Sequence, residues 1–547
     1  MTGFAYRWQF VFAAGLLFAL VPACNKKPTV DAPKSPAKQG NGGENTNGGT
    51  AKSGDWPMFG GSPDRNMVNL TAKNVPIDFK VRTEGEEEGV KWTVKLGSRA
   101  YGGPIVAGGK IFVGTNNENP RNPRDTVKGE PIDKGVVMCF NEADGKFLWQ
   151  AVHDKLPAGR VWDWPKEGIC SSPFVEGDRL YYVSNRCEVI CADTEGFYDG
   201  ENDGVQDEQY KDKTDADIVW RLNMIEQLGV FPHNLATSSP LIVGDRLFVV
   251  TSNGVDEAHK NIPVPQAPSF IAVDKKTGKV LWQKSYPGTN IMHGQWSSPA
   301  YAEVNGRGQV IFPGGDGWLY SLKPENGEII WKFDANPKDA VYVLGGAGTR
   351  NDFIATPVVY KNKCYIGVGQ DPEHDEGVGH LWCIDITKTG DISKDLLISG
   401  KPGDPNDPVK TMPNPNSGVI WHFGGVAPED SDRRFTFGRT LSTCAVHDDL
   451  VYAGDMSGYV YCLDANTGKL YWVHEMGAVT WSSPYWVDGK IFFGNDDGIL
   501  FVFQHGREKK ILAEIEFPRG TRLRATPVVA NNTLYVMTEN RLYAIGK

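Results

Sequence analysis

The chain has 547 residues, with 57 lysines and arginines against 67 aspartates and glutamates, which gives a net charge of -10. We do not expect such an acidic chain to bind nucleic acid, whose phosphates attract basic surfaces. Its 63 glycines and 35 prolines accompany 40% hydrophobic residues, which is typical of a folded domain with many turns. Beyond the N-terminal segment described next, no apolar stretch is long enough to span a membrane.

Residues 1–24 have the pattern of an export signal. Arg7 precedes an apolar stretch at residues 10–21, whose length suits a secretory signal better than a membrane span. The stretch ends at Pro22-Ala23-Cys24, which resembles a bacterial lipobox, so we expect Cys24 to carry a lipid. The alternative is an ordinary signal peptide with an incidental cysteine.

A tether and a short lead-in connect this signal to the main domain. Residues 25–55 are rich in Gly, Asn, Lys and Pro with almost nothing apolar, which predicts a disordered tether. Residues 56–89 form the lead-in, and the repeats described below occupy residues 90–547. We therefore predict an exported protein, held as a lipoprotein at the periplasmic face of a bacterial membrane.

One motif recurs along the main domain: a small residue, an Asp-like position, a Gly turn and a Trp at fixed spacing. Its clearest copy runs from Ala272 through Asp274, Thr277 and Gly278 to Trp282. Repeats of this length predict stacked supersecondary units, because one unit alone cannot bury its faces. We expect the Trp residues to pack between units and to donate an indole hydrogen bond, although a stacking surface for a ligand is the alternative. The repeat tryptophans are Trp92, Trp149, Trp220, Trp282, Trp331, Trp421 and Trp472.

Each motif is preceded by a second signature, of which Ser297-Ser298-Pro299 is typical. It leads into short β-rich runs separated by Gly, Asn and Asp turns, which predict antiparallel strands. Eight such units of four strands predict an all-β, eight-bladed β-propeller. The last unit lacks its fourth strand, whereas Val90 to Val94 precedes the first unit unpaired. We expect this N-terminal strand to pair with the C-terminal blade and close the ring.

The repeats resemble the pyrroloquinoline quinone (PQQ) repeats of quinoprotein dehydrogenase-like propellers, whose docking motif reads A-x-D-x-x-T-G-x-x-x-W. The resemblance covers residues 90–547 and implies the eight-bladed fold. That fold serves PQQ dehydrogenases and also the non-enzymatic BamB-type assembly lipoproteins, so it leaves the function open. The sequence has neither an adjacent Cys-Cys pair nor a C-x-x-C-H haem motif, which weighs against a dehydrogenase.

Polar residues stand just before the inner strands, around the predicted central funnel. An arginine-rich ring there could hold a tricarboxylate such as PQQ, because guanidinium groups pair bidentately with carboxylates. Asp352 or Glu167 could then act as a general base. The alternative is that polar residues line a wet funnel and form local salt bridges, which we favour for any single residue. The candidate cofactor-binding residues are Arg99, His233, His293, Arg350, Arg439, Arg522 and Arg524.

Two acidic stretches contain metal-ligand residue types. Residues 199–207 resemble the start of a calcium loop, with Asp199, Glu201, Asp203 and Asp207 as oxygen ligands and a Gly at the sixth position. Because Tyr210 replaces the expected bidentate Glu, a solvated acidic turn is the alternative to structural calcium. The second stretch, residues 371–376 with His380, mixes histidine and carboxylates without a fixed spacing, so we favour an exposed charged loop.

The cysteines have two expected roles. Cys139, Cys191, Cys383 and Cys462 replace the small residue of the motif and are expected to be buried core residues. Cys170 and Cys187 lie at the same end of neighbouring predicted strands, so a disulfide between them is plausible in an oxidising compartment.

Three functions fit these features. The first is an envelope-anchored, non-catalytic scaffold for proteins or polysaccharide, BamB-like in architecture. The second is a PQQ- and calcium-dependent periplasmic dehydrogenase of alcohols or sugars. The third is a carbohydrate-binding propeller that uses Trp162, Trp164 and Trp296, because aromatic rings flanked by polar groups suit sugar faces. The lipobox-like start and the missing enzyme motifs favour the scaffold.

Overall fold

The computed structural model describes residues 54–374 and 376–546, all within one compact unit. The predicted signal segment, Cys24 and residues 25–53 of the tether lie outside the described residues. Within the described ranges, no helix has the length and apolar character needed to cross a membrane.

Eight small antiparallel sheets, each built mainly from consecutive strands, confirm the predicted eight-bladed propeller. In each blade the first strand lies innermost. Blade one comprises Ile105–Ala107, Lys110–Asn116, Lys134–Asn141 and Phe147–Asp154, and blade two comprises Phe174–Glu176, Arg179–Val183, Glu188–Asp193 and Ile218–Asn223. Blade three comprises Leu241–Val243, Arg246–Val250, Phe270–Asp274 and Val280–Lys284, and blade four comprises Ala300–Val304, Arg307–Pro313, Trp318–Leu322 and Ile329–Asp334. Blade five comprises Val358–Tyr360, Lys363–Val368, His380–Asp385 and Val419–Val426. Blade six comprises Ala445–His447, Leu450–Gly454, Tyr459–Asp464 and Leu470–Glu475. Blade seven comprises Tyr485–Val487, Lys490–Gly494, Ile499–Gln504 and Ile511–Glu516.

The eighth blade combines the two ends of the domain. Its three C-terminal strands are Val528–Ala530, Thr533–Met537 and Arg541–Ile545, and its outer strand is Val90–Lys95. The outer strand Val90–Lys95 pairs antiparallel with Arg541–Ile545, and Trp92 lies opposite Ala544. The N-terminal strand thus covers an edge that the last repeat would otherwise leave open to other chains.

The repeat tryptophans join each blade to the next, as expected. Asp274 explains the motif locally, because its Oδ1 accepts from the backbone and hydroxyl of Thr277 at 2.9 and 2.8 Å and so shapes the turn. Gly278 follows with φ of 70°, and a Cβ there would lie 2.6 Å from the Trp220 ring of the preceding blade. Only glycine fits this left-handed backbone under an indole. Six indoles donate to a carbonyl in the turn of the following blade: Trp92 to Glu142, Trp149 to Thr194, Trp220 to Lys275, Trp282 to Pro324, Trp421 to Ala465 and Trp472 to Gly506.

Trp331 is the exception among these indoles. It donates at 2.6 Å to Gln309 Oε1 within its own blade, and Gln309 Nε2 donates at 3.2 Å to Ile386 O in the next blade. The interblade connection is kept, but an amide side chain relays it.

Short elements lie outside the four-stranded pattern. Gly390–Asp391 adds a parallel fifth strand to blade four, and Phe435–Phe437 adds an antiparallel fifth strand to blade five. The α-helix Met224–Leu228 begins at Asn223, whose side chain accepts from Ile225 N and Glu226 N. The remaining elements are the hairpins Thr126–Val127 with Glu130–Pro131 and Asp395–Ser399 with Lys410–Pro413, and the 3-10 turns Pro123–Asp125, Gly159–Val161, Gly196–Tyr198, Gly288–Asn290 and Pro372–His374.

The lead-in has a role that the sequence did not reveal. Residues 56–69 follow the inner strands from blade to blade and hydrogen-bond to them in turn, so they fill the centre of the ring. Val68–Asn69 even forms a parallel strand against Trp486–Val487 of blade seven. The other backbone contacts are Trp56 with Val106, Pro57 O with Val175 N, Pro63 O with Tyr301 N, Asp64 O with Val359 N and Met67 O with Trp486 N. Asn66 and Asn69 add side-chain bonds to Val446 and Val529.

Arg65 anchors the middle of this lead-in. Its side chain is fully buried, and it donates from Nε to Pro299 O at 2.9 Å, from Nη1 to Phe59 O at 2.8 Å, and from Nη2 to Ser239 O and Pro240 O at 3.1 and 2.9 Å. Burial lowers its pKa to about 9, against a smaller opposing effect of Asp64. The guanidinium therefore connects the lead-in to blades three and four at the ring centre.

Candidate functional site

A funnel opens above the lead-in, on the face that carries the connections between blades. It encloses a cavity of about 350 Å³, and Phe59 of the lead-in lies at its floor. Its walls are formed by the segments before the inner strands and include Tyr101 and Trp164, together with Glu167 and Arg524 as the sequence predicted. Because the lead-in fills the ring centre below, the funnel is closed at one end.

Aromatic rings form much of the funnel wall. Tyr101 stacks on Trp481 with ring centroids 5.7 Å apart, and the Arg524 guanidinium lies 4.1 Å from the Trp481 ring centroid. Trp164 and Trp296 line the same cavity and are half-buried. The sequence analysis singled out Trp164 and Trp296 but missed Trp481, which directly precedes a Ser-Ser-Pro signature.

A ring of hydroxyl groups lies lower in the funnel. The second residue of the signature in blades two to eight supplies them, and neighbouring members are connected by hydrogen bonds. For example, Ser172 N donates to Ser239 Oγ at 3.0 Å, and Ser239 N donates to Ser298 Oγ at 2.9 Å. The hydroxyl ring comprises Ser172, Ser239, Ser298, Thr356, Thr443, Ser483 and Thr526. The Ser-Ser-Pro signature therefore both spaces the blades and gives the funnel a neutral polar lining.

Four of the five arginines that the sequence offered for a tricarboxylate contact carboxylates. Arg99 and Arg522 both contact Glu539, at 2.8 and 3.4 Å. Arg524 pairs with Asp496 at 2.7 Å. Such pairing leaves little positive charge for an anionic ligand.

The other two arginines are also engaged. Arg350 pairs with Asp334 at 2.7 Å, away from the funnel lining. Arg439 donates to His374 O at 2.9 Å and to Asn351 Oδ1 at 3.1 Å. The guanidinium groups that the sequence offered for the three carboxylates of PQQ therefore already have partners.

The two candidate bases occupy different environments. Glu167 lines the funnel, and Arg99 Nε lies 3.9 Å from its Oε1. Asp352 is buried, and within the described chain its Oδ1 has no hydrogen-bond partner. Burial and the nearby Asp371 carboxylate raise the pKa of Asp352 well above its usual value. Asp352 is thus suited to stay protonated, and Glu167 is the one of the two that a funnel ligand could reach.

Three histidines converge behind the funnel wall, and we call His233, His259 and His293 the histidine cluster. Nε2 of His259 lies 3.3 Å from Nε2 of His233 and 3.1 Å from Nε2 of His293. Burial and the facing His293 lower the pKa of His233 to about 3, and the same causes lower the pKa of His259. The funnel residue Trp296 contacts His293, with ring centroids 5.1 Å apart.

The exposed charged loop expected for this stretch is wrong for Asp371, although Glu373 and Glu376 are exposed as expected. The Asp371 side chain is buried, and its Oδ2 accepts from His293 Nδ1 at 2.7 Å and from His374 Nδ1 at 2.9 Å. Burial acts to raise the pKa of Asp371, but the two histidine hydrogen bonds hold it well below its usual value. His380 is not part of this group and instead lies 3.0 Å from His422. The folding of the blade-five loop back toward blade four could not be seen from spacing alone.

The predicted calcium stretch lies in the long connection of blade two. Asp203 pairs with Arg179 at 3.1 Å, and Asp207 pairs with Arg221. Asp199 accepts from the backbone of Glu201 at 2.9 Å. Calcium binding by these carboxylates stays a prediction, and the ion would compete with two arginines.

Cys170 and Cys187 are free thiols in the structure, in contrast to the predicted disulfide. Cys187 Sγ lies 3.3 Å from Thr251 O in the next blade, whereas Cys170 Sγ lies 3.9 Å from Glu167 O beside the funnel. The two side chains thus contact different parts of the molecule. Cys139, Cys191, Cys383 and Cys462 are buried opposite the repeat tryptophans, as expected.

The fold and its repeat signature define the class of protein as an eight-bladed β-propeller built from PQQ-like repeats. The chain belongs to the family described as outer membrane protein assembly factor BamB, whose model matches residues 209–400 and 409–547.

Two dehydrogenases are similar to parts of the chain. One is 1-butanol dehydrogenase (quinone) of Thauera butanivorans, 23% identical over 260 residues that cover 45% of this chain and 34% of the relative. The other is polyvinylalcohol dehydrogenase of Sphingopyxis sp., 24% identical over 281 residues that cover 46% and 36%. The chain thus spans about a third of the length of these relatives. A solved europium-containing methanol dehydrogenase shares the fold, with a TM-score of 0.55 and 13% identity, and the match covers 91% of this chain and 98% of that one.

Proposed function

We propose that this protein is a non-catalytic binding protein of the bacterial envelope whose funnel holds a sugar unit of a polysaccharide. The observation that carries this proposal is the combination of an aromatic wall with a ring of neutral hydroxyls in one cavity. Of the binding scaffolds that fit the sequence, the funnel favours one for polysaccharide over one for proteins.

The chemistry of the funnel supports a neutral, polyhydroxylated ligand. Flat indole faces pack well against the C–H faces of sugar rings, and polar groups at their edges fix orientation. Trp164, Trp296 and Trp481 contribute aromatic surface to the cavity, and the hydroxyl ring contributes neutral donors and acceptors. The cavity of about 350 Å³ lies within the usual range for a small-ligand site.

A PQQ-dependent dehydrogenase is the competing function, because two similar proteins carry quinone or alcohol dehydrogenase names. The occupied arginines argue against it. A quinone site would require the ion pairs of Arg99 with Glu539 and of Arg524 with Asp496 to break. Binding of the quinone would have to offset the free-energy cost of breaking them.

The test is a titration of the purified full-length chain with neutral oligosaccharides, and separately with PQQ with and without calcium. Binding would be followed by calorimetry and tryptophan fluorescence. We expect Trp164→Ala and Trp481→Ala each to weaken saccharide binding about 10-fold, which is about 1.4 kcal/mol. The matched control is Trp318→Ala, whose ring lies 4.7 Å from Lys332 and Lys338 and outside the funnel lining. Calcium-dependent 1:1 binding of PQQ with alcohol oxidation would overturn the proposal.

The location is part of the same proposal. A lipid on Cys24 and the tether at residues 25–55 would hold the propeller at the periplasmic face of a membrane. We expect mass spectrometry to find an acylated N-terminal cysteine, and Cys24→Ser to release the protein into the soluble fraction. Retention of Cys24→Ser in the membrane fraction, as for the parent chain, would contradict lipid anchoring.

A further inference from the structure

The histidine cluster combines residues that are far apart in the sequence. His233 and His293 lie in the segments that lead into the inner strands of blades three and four, whereas His259 lies in a loop of blade three. His259 has φ of 54°, a left-handed conformation that is uncommon for a residue with a side chain. A Cβ at Gly345 would lie 2.6 Å from His259 Cβ, so the glycine permits this close approach. Backbone strain and close packing of this kind are concentrated at functional sites.

Hydrogen bonding fixes which ring nitrogens are free. His233 Nδ1 lies 2.8 Å from Val255 O, an acceptor, so Nδ1 must carry the proton. His293 Nδ1 lies 2.7 Å from the Asp371 carboxylate and must donate as well. When both imidazole rings are neutral, the Nε2 atom of each ring is then unprotonated and carries a lone pair. Both lone pairs point at Nε2 of His259.

One proton cannot satisfy this arrangement. If His259 Nε2 carries a hydrogen, it donates well to one neighbour and leaves the other lone pair facing a nitrogen. A cation between the three atoms satisfies all of them. Zn²⁺ binds histidine nitrogen at about 2.0–2.1 Å, so two ligand nitrogens of a tetrahedral ion lie about 3.3–3.4 Å apart. The Nε2 separations of 3.3 and 3.1 Å are close to that spacing, and the ligand nitrogens of all three histidines lie within 4.8 Å of one another.

The groups behind the ligands also suit a metal. Metal-bound histidines usually donate their other ring N–H to a carboxylate or a backbone carbonyl, which orients the ring. Asp371 does this for His293 and is itself held by His374 Nδ1 at 2.9 Å, while Val255 O does it for His233. Three protein nitrogens leave one position of a tetrahedral ion open.

The cluster is partly accessible to solvent. His233 and His293 are buried, but His259 and His374 are only partly buried. An ion can thus enter past His259 without opening a blade.

We propose that His233, His259 and His293 form a three-histidine site for a divalent transition-metal ion, zinc in the first instance, with its fourth position open to water or a small ligand. The site lies behind Trp296 in the funnel wall and does not depend on the proposed saccharide binding. Asp371 and His374 are positioning residues for His293.

The test uses the untagged full-length chain, stripped with a chelator and titrated with Zn²⁺ against a competing zinc indicator. Co²⁺ is then added, because a tetrahedral nitrogen site gives intense visible absorption. We expect 1:1 binding, at least 100-fold weaker in His259→Ala, and about 10- to 100-fold weaker in Asp371→Asn through its outer hydrogen bond.

The matched control is His422→Ala. His422 faces His380 at 3.0 Å in blade five, but among the described residues this pair has no third ligand. We expect His422→Ala to bind zinc like the parent chain. His259→Ala changes a half-exposed loop residue, and circular dichroism with thermal unfolding will verify that it folds. Absence of zinc binding by the parent chain, or equal binding by a folded His259→Ala, would overturn the proposal.

Discussion

Arg65 offers a quantitative test of the lead-in at the ring centre. We consider Arg65→Met, which keeps a long side chain but removes every donor. The carbonyls of Phe59, Pro299, Ser239 and Pro240 then lose their partner inside the protein, where water cannot replace it. At about 1.5 kcal/mol for each of the three donating nitrogens, after guanidinium desolvation is deducted, we expect the free energy of unfolding to fall by about 4 kcal/mol.

The assay is urea unfolding of the full-length chain, followed by tryptophan fluorescence and by trypsin cleavage within the lead-in. The control is Arg82→Met, since Arg82 forms a 2.9 Å ion pair with Glu516 but its side chain is 65% exposed. An exposed pair of this kind contributes about 0–1 kcal/mol. If Arg65→Met costs less than about 1 kcal/mol and leaves the lead-in resistant to trypsin, the buried guanidinium does not hold the ring centre.

Three further predictions concern the blades and the buried groups. Gly278→Ala should lower the free energy of unfolding, measured in urea, by about 2–4 kcal/mol, because the new Cβ overlaps the Trp220 indole and alanine is also strained in the left-handed backbone conformation. Gly177 has φ of 63° but open space around it, so Gly177→Ala should cost only about 1 kcal/mol. Asp352→Asn should stabilise the chain more at pH 8 than at pH 4. The reason is that the raised pKa of the folded Asp352 carboxyl lowers the free energy of unfolding by about 1.4 kcal/mol for each pH unit between the carboxyl's pKa in the unfolded chain and its pKa in the folded chain. An equal effect of the substitution at both pH values would refute this. Cys170 and Cys187 should both be alkylated in urea without reductant, as mass spectrometry would show, whereas a protected pair would restore the disulfide.

Much of the fold followed from local sequence. The repeat could be recognised because Asp274, Gly278 and Trp282 act within one turn and one strand, so their spacing is fixed by local geometry. The missing outer strand of the last blade was also visible, because counting four strands per unit leaves Val90–Lys95 without a partner. Of the polar residues predicted around the funnel, Glu167 and Arg524 do line it, since the repeat fixes the position of the segment before each inner strand.

The ion-pair partners and the burial of those polar residues could not be predicted from the sequence. The sequence supplied an arginine ring, but whether Arg99 and Arg524 are available depends on Glu539 and Asp496, which belong to other turns. Likewise, Asp371 was expected on an exposed loop, because its burial against His293 depends on how that loop folds.

By itself, the sequence determined the propeller, its blade count and the packing of its tryptophans, because these are repeated, short-range features. Only the tertiary structure decided the path of the lead-in, the charge of the funnel and the meeting of His233, His259 and His293. Arg65 and Pro299, for example, are 234 residues apart in the chain yet share a hydrogen bond. Contacts over such separations depend on ring closure and on the folding of irregular loops, neither of which leaves a periodic pattern in the sequence.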